Sequence, residues 1–95
     1  MPNTPSAAKR ARQSERRRQR NQAIKSATRT AVRKAREALE SGDVQQAISR
    51  LQDAASALDR AARKGIIHPN QAARRKSRLA RRLNALQAAG TEAGQ

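Results

Sequence analysis

Apolar residues recur at helical spacing in three stretches of this chain, and glycines mark the gaps between them. In the middle stretch Val44, Ala47, Ile48, Leu51, Ala54, Ala55, Leu58, Ala61 and Ala62 fall within about 140° of a helix that turns 100° per residue. In the last, Ala72, Leu79, Leu83 and Leu86 fall within about 60°. In the first, Ile24, Ala27, Ala31, Val32, Ala35, Ala38 and Leu39 occupy a stripe of about 140°. The stop signals agree with the stripes. Ser41-Gly42-Asp43 reads as a C′ glycine followed by an N-cap, with Gln46 three residues on as in a capping box. Gly65 closes the second segment, His68 stands at a cap position, and Pro69 suits the first turn of a third helix, with Gly90 as the final stop. The pattern predicts helices at about 6–41, 44–64 and 69–89, with 90–95 as a flexible C-terminal tail. Short connections favour antiparallel neighbours. The fold class is all-α: a three-helix bundle over residues 1–89, closed around a narrow, alanine-lined core.

The first stripe stops early. Between Arg12 and Gln22 there is no apolar residue, and the positions in line with Ile24 become Asn21, Arg20 and Arg17. A helix over 6–41 is about 54 Å long, whereas the second is about 30 Å, so at least about 20 Å of the first has no part of this chain to pack on. The prediction is a long, protruding, cationic N-terminal helix.

Composition sharpens the picture. The 95 residues carry 22 Lys and Arg against 7 Asp and Glu, a formal charge of +15, and contain no aromatic residue and no cysteine. Residues 1–36 hold 12 basic side chains and one acid, Glu15; residues 37–62 are mildly acidic; residues 63–82 hold eight basic residues and no acid. Alanine supplies 21 of the apolar positions and only a dozen are larger aliphatics, so the core is small and self-repulsion works against it. A polyanionic partner would supply the missing stability.

The cations are arranged in two ways. Lys25, Arg29, Arg33 and Arg36 form a ridge of about 80° beside the first apolar stripe. Arg74, Arg75, Arg78, Arg81 and Arg82 form one of about 120° beside the leucines of the third. On the arm, Lys9, Arg10, Arg12, Arg16, Arg17, Arg18 and Arg20 spread over about 240° of the circumference. A ridge suits docking along one backbone, and an all-round basic helix suits insertion between several phosphate strands. Arginine outnumbers lysine 17 to 5, which favours bidentate binding of phosphate oxygens. Without aromatics there is no stacking platform for single strands, so recognition should rest on duplex shape and backbone contacts. Engagement of about eight to twelve phosphates implies a log–log salt slope of about −6 to −10.

Other chemistries fall away. No run of apolar residues is long enough for a membrane span or a signal core. His68 is the only histidine, with no carboxylate or cysteine beside it to form a metal or catalytic set. Asp43, Asp53 and Asp59 are strung along one helix, with Asp59 and Arg63 at the spacing of an ordinary i, i+4 pair. Ser6, Ser14, Ser26 and Ser77 lie among cations, where hydroxyls cap helices or donate to phosphate. The chain is expected to be no enzyme, to hold no cofactor or metal, to bind no small-molecule substrate and to act as a single copy rather than a homo-oligomer.

Asn3, Ser6-Ala7, Lys9-Arg10, Arg12-Gln13-Ser14-Glu15-Arg16-Arg17, Asn21, Ser26 and Arg29-Thr30 resemble the N-terminal signature of the bacterial small-subunit ribosomal protein S-twenty family. The segment from Gly65-Ile66-Ile67-His68-Pro69-Asn70 through Arg74-Arg75-Lys76-Ser77-Arg78-Leu79 resembles its second, more specific signature. The likeness runs from residue 2 to about 87, with the final GTEAGQ outside it. It implies a bundle whose long first helix binds 16S-type ribosomal RNA directly and early in assembly, in a cytoplasmic, ribosome-bound protein. The contacts it implies by position are Lys9, Arg10, Arg12, Ser14, Arg16, Arg17, Asn21, Ser26 and Arg29, then His68, Asn70, Arg74, Lys76 and Ser77. Apart from the resemblance, three readings compete: a structural ribosomal-RNA binder, a nucleoid- or linker-histone-like DNA-binding protein, and a membrane-active or targeting peptide. The last fails because residues 12–22 offer no apolar face to insert. The second lacks the lysine- and proline-rich repeats usual in linker-histone-like tails.

Overall fold

The computed structural model describes residues 5–93, with side chains described through residue 89. Three helices make up the fold: α1 (Pro5–Ser41), α2 (Val44–Arg63) and α3 (Pro69–Ala93). The bundle with a long first helix is as the sequence predicts. α2 packs along both neighbours, and α1 and α3 meet more narrowly.

Local chemistry sets the turns. Gly42 takes φ +80°, a left-handed conformation that costs glycine little, and its N–H reaches the Leu39 carbonyl at 3.3 Å. Asp43 then caps α2, its Oδ1 accepting from the Gln46 N–H at 3.2 Å. At the far end Gly65 takes φ +75°. The Ile66 N–H reaches the Ala61 carbonyl (2.9 Å) and the Gly65 N–H that of Ala62 (3.0 Å), which is a Schellman motif. His68 caps α3 through its ring: Nδ1 accepts from the Asn70 N–H at 3.1 Å, while its carbonyl accepts from Gln71 and Ala72.

The core is built mostly of alanine. α1 contributes Val32, Ala35, Ala38 and Leu39, α2 contributes Ala47, Ala54, Leu58 and Ala61, and α3 contributes Ala72 and Leu79. Leu58 is the largest fully buried side chain. Ala31, Leu51, Ala62, Ile67, Leu83 and Leu86 pack around this centre half-buried. In α1 the structure departs from the apolar stripe at one step. Ala27 is exposed and Thr28 is buried. Position 28 lies inside the stripe, and its hydroxyl is satisfied locally by donating to the Ile24 carbonyl at 2.8 Å, so a polar residue enters the core with no orphaned group. Ala27 lies at the stripe's edge and faces a groove instead.

Every residue from Lys9 to Ala23 is exposed. The molecule measures 73 × 21 × 15 Å with a radius of gyration of 18.9 Å, against about 12 Å for a compact chain of this length. α3 runs through Gly90 to Ala93 rather than stopping there. A glycine inside a helix costs only about 1 kcal/mol and no proline follows to force a break. Of the expected tail, residues 94 and 95 lie outside the described residues, as does Asn3 of the N-terminal signature.

Two substitutions test this core. Leu58→Ala should lower stability by about 2–5 kcal/mol, enough to remove the cooperative transition seen by circular dichroism in urea. Gly65→Ala, whose added Cβ meets nothing within 4 Å, should cost only the backbone strain of a positive φ, about 1–2 kcal/mol. In the free protein, amides of residues 6–22 should exchange with solvent far faster than those of α2, since no packing protects them.

Candidate nucleic-acid interface

The two arginine ridges come together. Arg29, Arg33 and Arg36 of α1 face Arg75, Arg78 and Arg82 of α3 across an open cleft of about 630 Å³ whose floor is Val32 and Leu79. The parallel placement of α1 and α3 on α2 produces this: each ridge lies beside its own apolar stripe, and packing the stripes turns both ridges to the same side. Only Arg33 has an acid in reach, Glu37 at 3.8 Å. The other five arginines have no acidic partner among the described residues. Lys25 continues the α1 ridge toward the arm, while Arg74 and Arg81 lie farther round α3 and outside the cleft.

Lys76 is placed differently from its neighbours. Its Nζ lies 2.8 Å from Asp59 Oδ1, a hydrogen-bonded ion pair that ties α3 to α2, with the two side chains 39% and 47% exposed. Asp59 therefore pairs across the bundle, and not with Arg63 along its own helix as the spacing suggests. A partner on the adjacent helix, brought in by apolar packing, outcompetes the local one. Ser77 and Asn70 are exposed, and the His68 ring already accepts the Asn70 N–H.

On the arm Lys9, Arg10, Arg12, Ser14, Arg16, Arg17, Arg18, Arg20 and Asn21 are all exposed, as is Ser26 just inside it. Gln13, Arg16, Arg17 and Arg20 line a shallow concavity on one face. That face continues the line of Ile24 and Thr28, so the side of α1 that buries apolar residues in the bundle becomes cationic beyond it. Arg18 is engaged with Glu15 through two hydrogen bonds, 2.7 and 3.1 Å. These hydrogen bonds hold the Glu15 carboxyl below the usual carboxylate range and raise Arg18 further. The pair is exposed, so its small stabilising effect is present above the ordinary glutamate pKa and disappears as pH falls through the lowered one.

A second groove, about 310 Å³, lies between α1 and α2 on the other side of the α1 core stripe, lined by Ala27, Thr30, Ala31, Lys34, Arg50 and Asp53. Its charge is mixed. No group of three or more His, Cys, Asp or Glu that could hold a metal is found among the described residues, and no described helix is long and apolar enough to cross a membrane.

Fold and surface define a small helical bundle organised around a polycationic face. The family model described as Ribosomal protein S20 matches residues 2–84. A protein of Thermomicrobium roseum named small ribosomal subunit protein bS20 is 56% identical over 95 residues, covering 100% of this chain and 96% of that one. Proteins of the same name from Nocardia farcinica (56% over 86 residues, 90% of this chain and 100% of that one) and Salinispora tropica (54% over 83 residues, 87% and 94%) are also similar. The chain belongs to the ribosomal protein S20 family, whose members are structural and not enzymes. The Thermomicrobium alignment spans the final GTEAGQ as well, so that stretch is not peculiar to this chain.

The placement of Lys76 separates it from the arginine beside it. Lys76→Met should cost about 0.2–1 kcal/mol of bundle stability, non-additively with Asp59→Ala in a double-mutant cycle. Arg75→Gln should leave stability unchanged or raise it and weaken RNA binding more than Lys76→Met does, read by filter binding.

Proposed function

We propose that this chain is a structural constituent of the small ribosomal subunit that binds 16S-type ribosomal RNA directly, as a single copy in the cytoplasmic ribosome, through one domain over residues 1–89. The observation that carries the reading is the division of its charge. An arm basic around its circumference leads into a bundle where six more arginines, three from α1 and three from α3, border one cleft, while five of the seven acids fall between residues 37 and 62. The arm would bridge phosphates of several RNA strands during early subunit assembly, with Lys9, Arg10, Arg12, Arg16, Arg17 and Arg20 neutralising charge and Ser14, Asn21 and Ser26 donating hydrogen bonds. The ridges would follow one backbone. The names of the relatives place them in the same particle, and the absence of aromatic residues suits recognition by backbone shape rather than by stacking.

The competing reading, a nucleoid- or linker-histone-like DNA-binding protein, is separated by competition. At about 0.3 M salt, ribosomal RNA should displace the protein from duplex DNA of equal length, and equal affinity would count against the ribosomal assignment. Arg17→Glu should weaken RNA binding with little change in the urea midpoint of the bundle, because Arg17 touches no part of the core. The slope of log affinity against log salt should fall between about −6 and −10 for the native chain.

A further inference from the structure

We propose that the cleft between α1 and α3 is a self-contained site for a run of consecutive phosphate groups, one that works independently of the arm and clamps α3 onto α1 when filled. The inference rests on the ribosomal reading above and assigns the cleft a separate role within it.

Geometry comes first. The arginines on each wall span seven helical steps, from Arg29 to Arg36 and from Arg75 to Arg82, a length of about 10 Å. A wall of that length faces only a short run of consecutive phosphates on one strand. The floor, Val32 and Leu79, is apolar and suits the carbon face of a sugar or the bare edge of a phosphate chain. Arm and cleft also lie on different sides of α1. The concavity of Gln13, Arg16, Arg17 and Arg20 is turned about 180° from the arginines of the cleft wall on a helical projection, so no short ligand covers both.

Electrostatics supplies the clamp. Six guanidinium groups face one another with one acid, Glu37, near them, at the helix pair that meets most narrowly. In the free protein this repulsion pushes α3 away from α1, and α3 is held by its apolar contacts and the Lys76–Asp59 pair on the α2 side. An anion bridging the two walls converts repulsion into attraction. A chain of phosphates does so at several points at once, through charge-assisted and bidentate bonds. RNA backbone and free oligophosphate share this chemistry.

The experiment uses the full chain, with inorganic tripolyphosphate and a single-stranded uridine hexanucleotide as separate probes, each against chloride of matched ionic strength. Calorimetric binding and the thermal midpoint are read for the native chain, a cleft variant (Arg33→Gln with Arg78→Gln) and an arm variant (Arg16→Gln, Arg17→Gln and Arg20→Gln). Tripolyphosphate should bind the native chain and the arm variant with similar affinity and raise both midpoints. The cleft variant should bind about tenfold or more weakly and show little rise. Without any probe and at low salt, the cleft variant should melt at a higher temperature than the native chain, a gain that misfolding cannot produce. Arg82→Gln alone should shift both readings in the same direction by less. Hexanucleotide following the same order assigns the site to RNA backbone, and tripolyphosphate alone doing so assigns it to free oligophosphate. No midpoint rise beyond matched chloride, or an equal rise in the cleft variant, would overturn the proposal. Ribosomal-RNA binding measured on the same samples separates the two ideas: retained RNA binding with a silent cleft sinks only this inference, and loss of RNA binding by the native chain sinks the ribosomal reading.

Discussion

The structure depends on the burial of one alanine-rich helix face. Ala47, Ala54, Leu58 and Ala61 of α2 are completely buried, and only one of them has a side chain of any size. Alanine lets the helix axes approach closely and loses no side-chain freedom on folding. It also yields little apolar area per residue, so attraction is thin while fifteen surplus charges repel. The bundle stands by sorting: every arginine is kept off the α2 seam except at its rim, and the repulsion is gathered where α1 and α3 meet. The concentration of arginine on one side is thereby a by-product of the way the core packs.

Most of the architecture could be read from the chain before any coordinates. The turns were legible because glycine and the capping side chains act over four residues: Gly42 with Asp43, and Gly65 with His68 and Pro69, do locally what their spacing suggests, although the Asp43 N–H donates to Ser41 Oγ and the capping box with Gln46 is only half formed. The end of α3 was not legible. Gly90 has the look of a stop, yet a helix continues through a glycine when nothing beyond it competes, and α3 reaches Ala93. Thr28 was missed for a related reason. Its polarity removed it from the apolar stripe, while its position put it in the core and its own helix satisfied its hydroxyl.

The surface was legible in parts. Helical projection finds each arginine ridge, because a ridge belongs to one helix. It cannot find the cleft, which belongs to two and exists only through their placement on α2. The same limit explains Lys76 and Asp59, seventeen residues apart. No local rule joins them, and the lysine sits in a run of cations that conceals its structural role. Arg74 and Arg81 lie outside the cleft although they share the ridge with Arg75, Arg78 and Arg82, since a sector of about 120° is wider than one side of a groove.

Between Ser6 and Ser41 α1 contains neither glycine nor proline, and it passes from solvent into the bundle without interruption. While it is held helical along its length, a rod with no joint behaves as a strut: its tip does not swivel relative to the domain at its base, and the spacing between them is set by residue number at about 1.5 Å per step. Adding or deleting a single residue along the exposed portion would change that spacing only slightly but would rotate everything beyond it by about 100°. Single replacements leave the gauge intact, whereas insertions spoil it. The leading helix is in this sense a ruler as well as a charge carrier, and its length is a specification held separately from its composition.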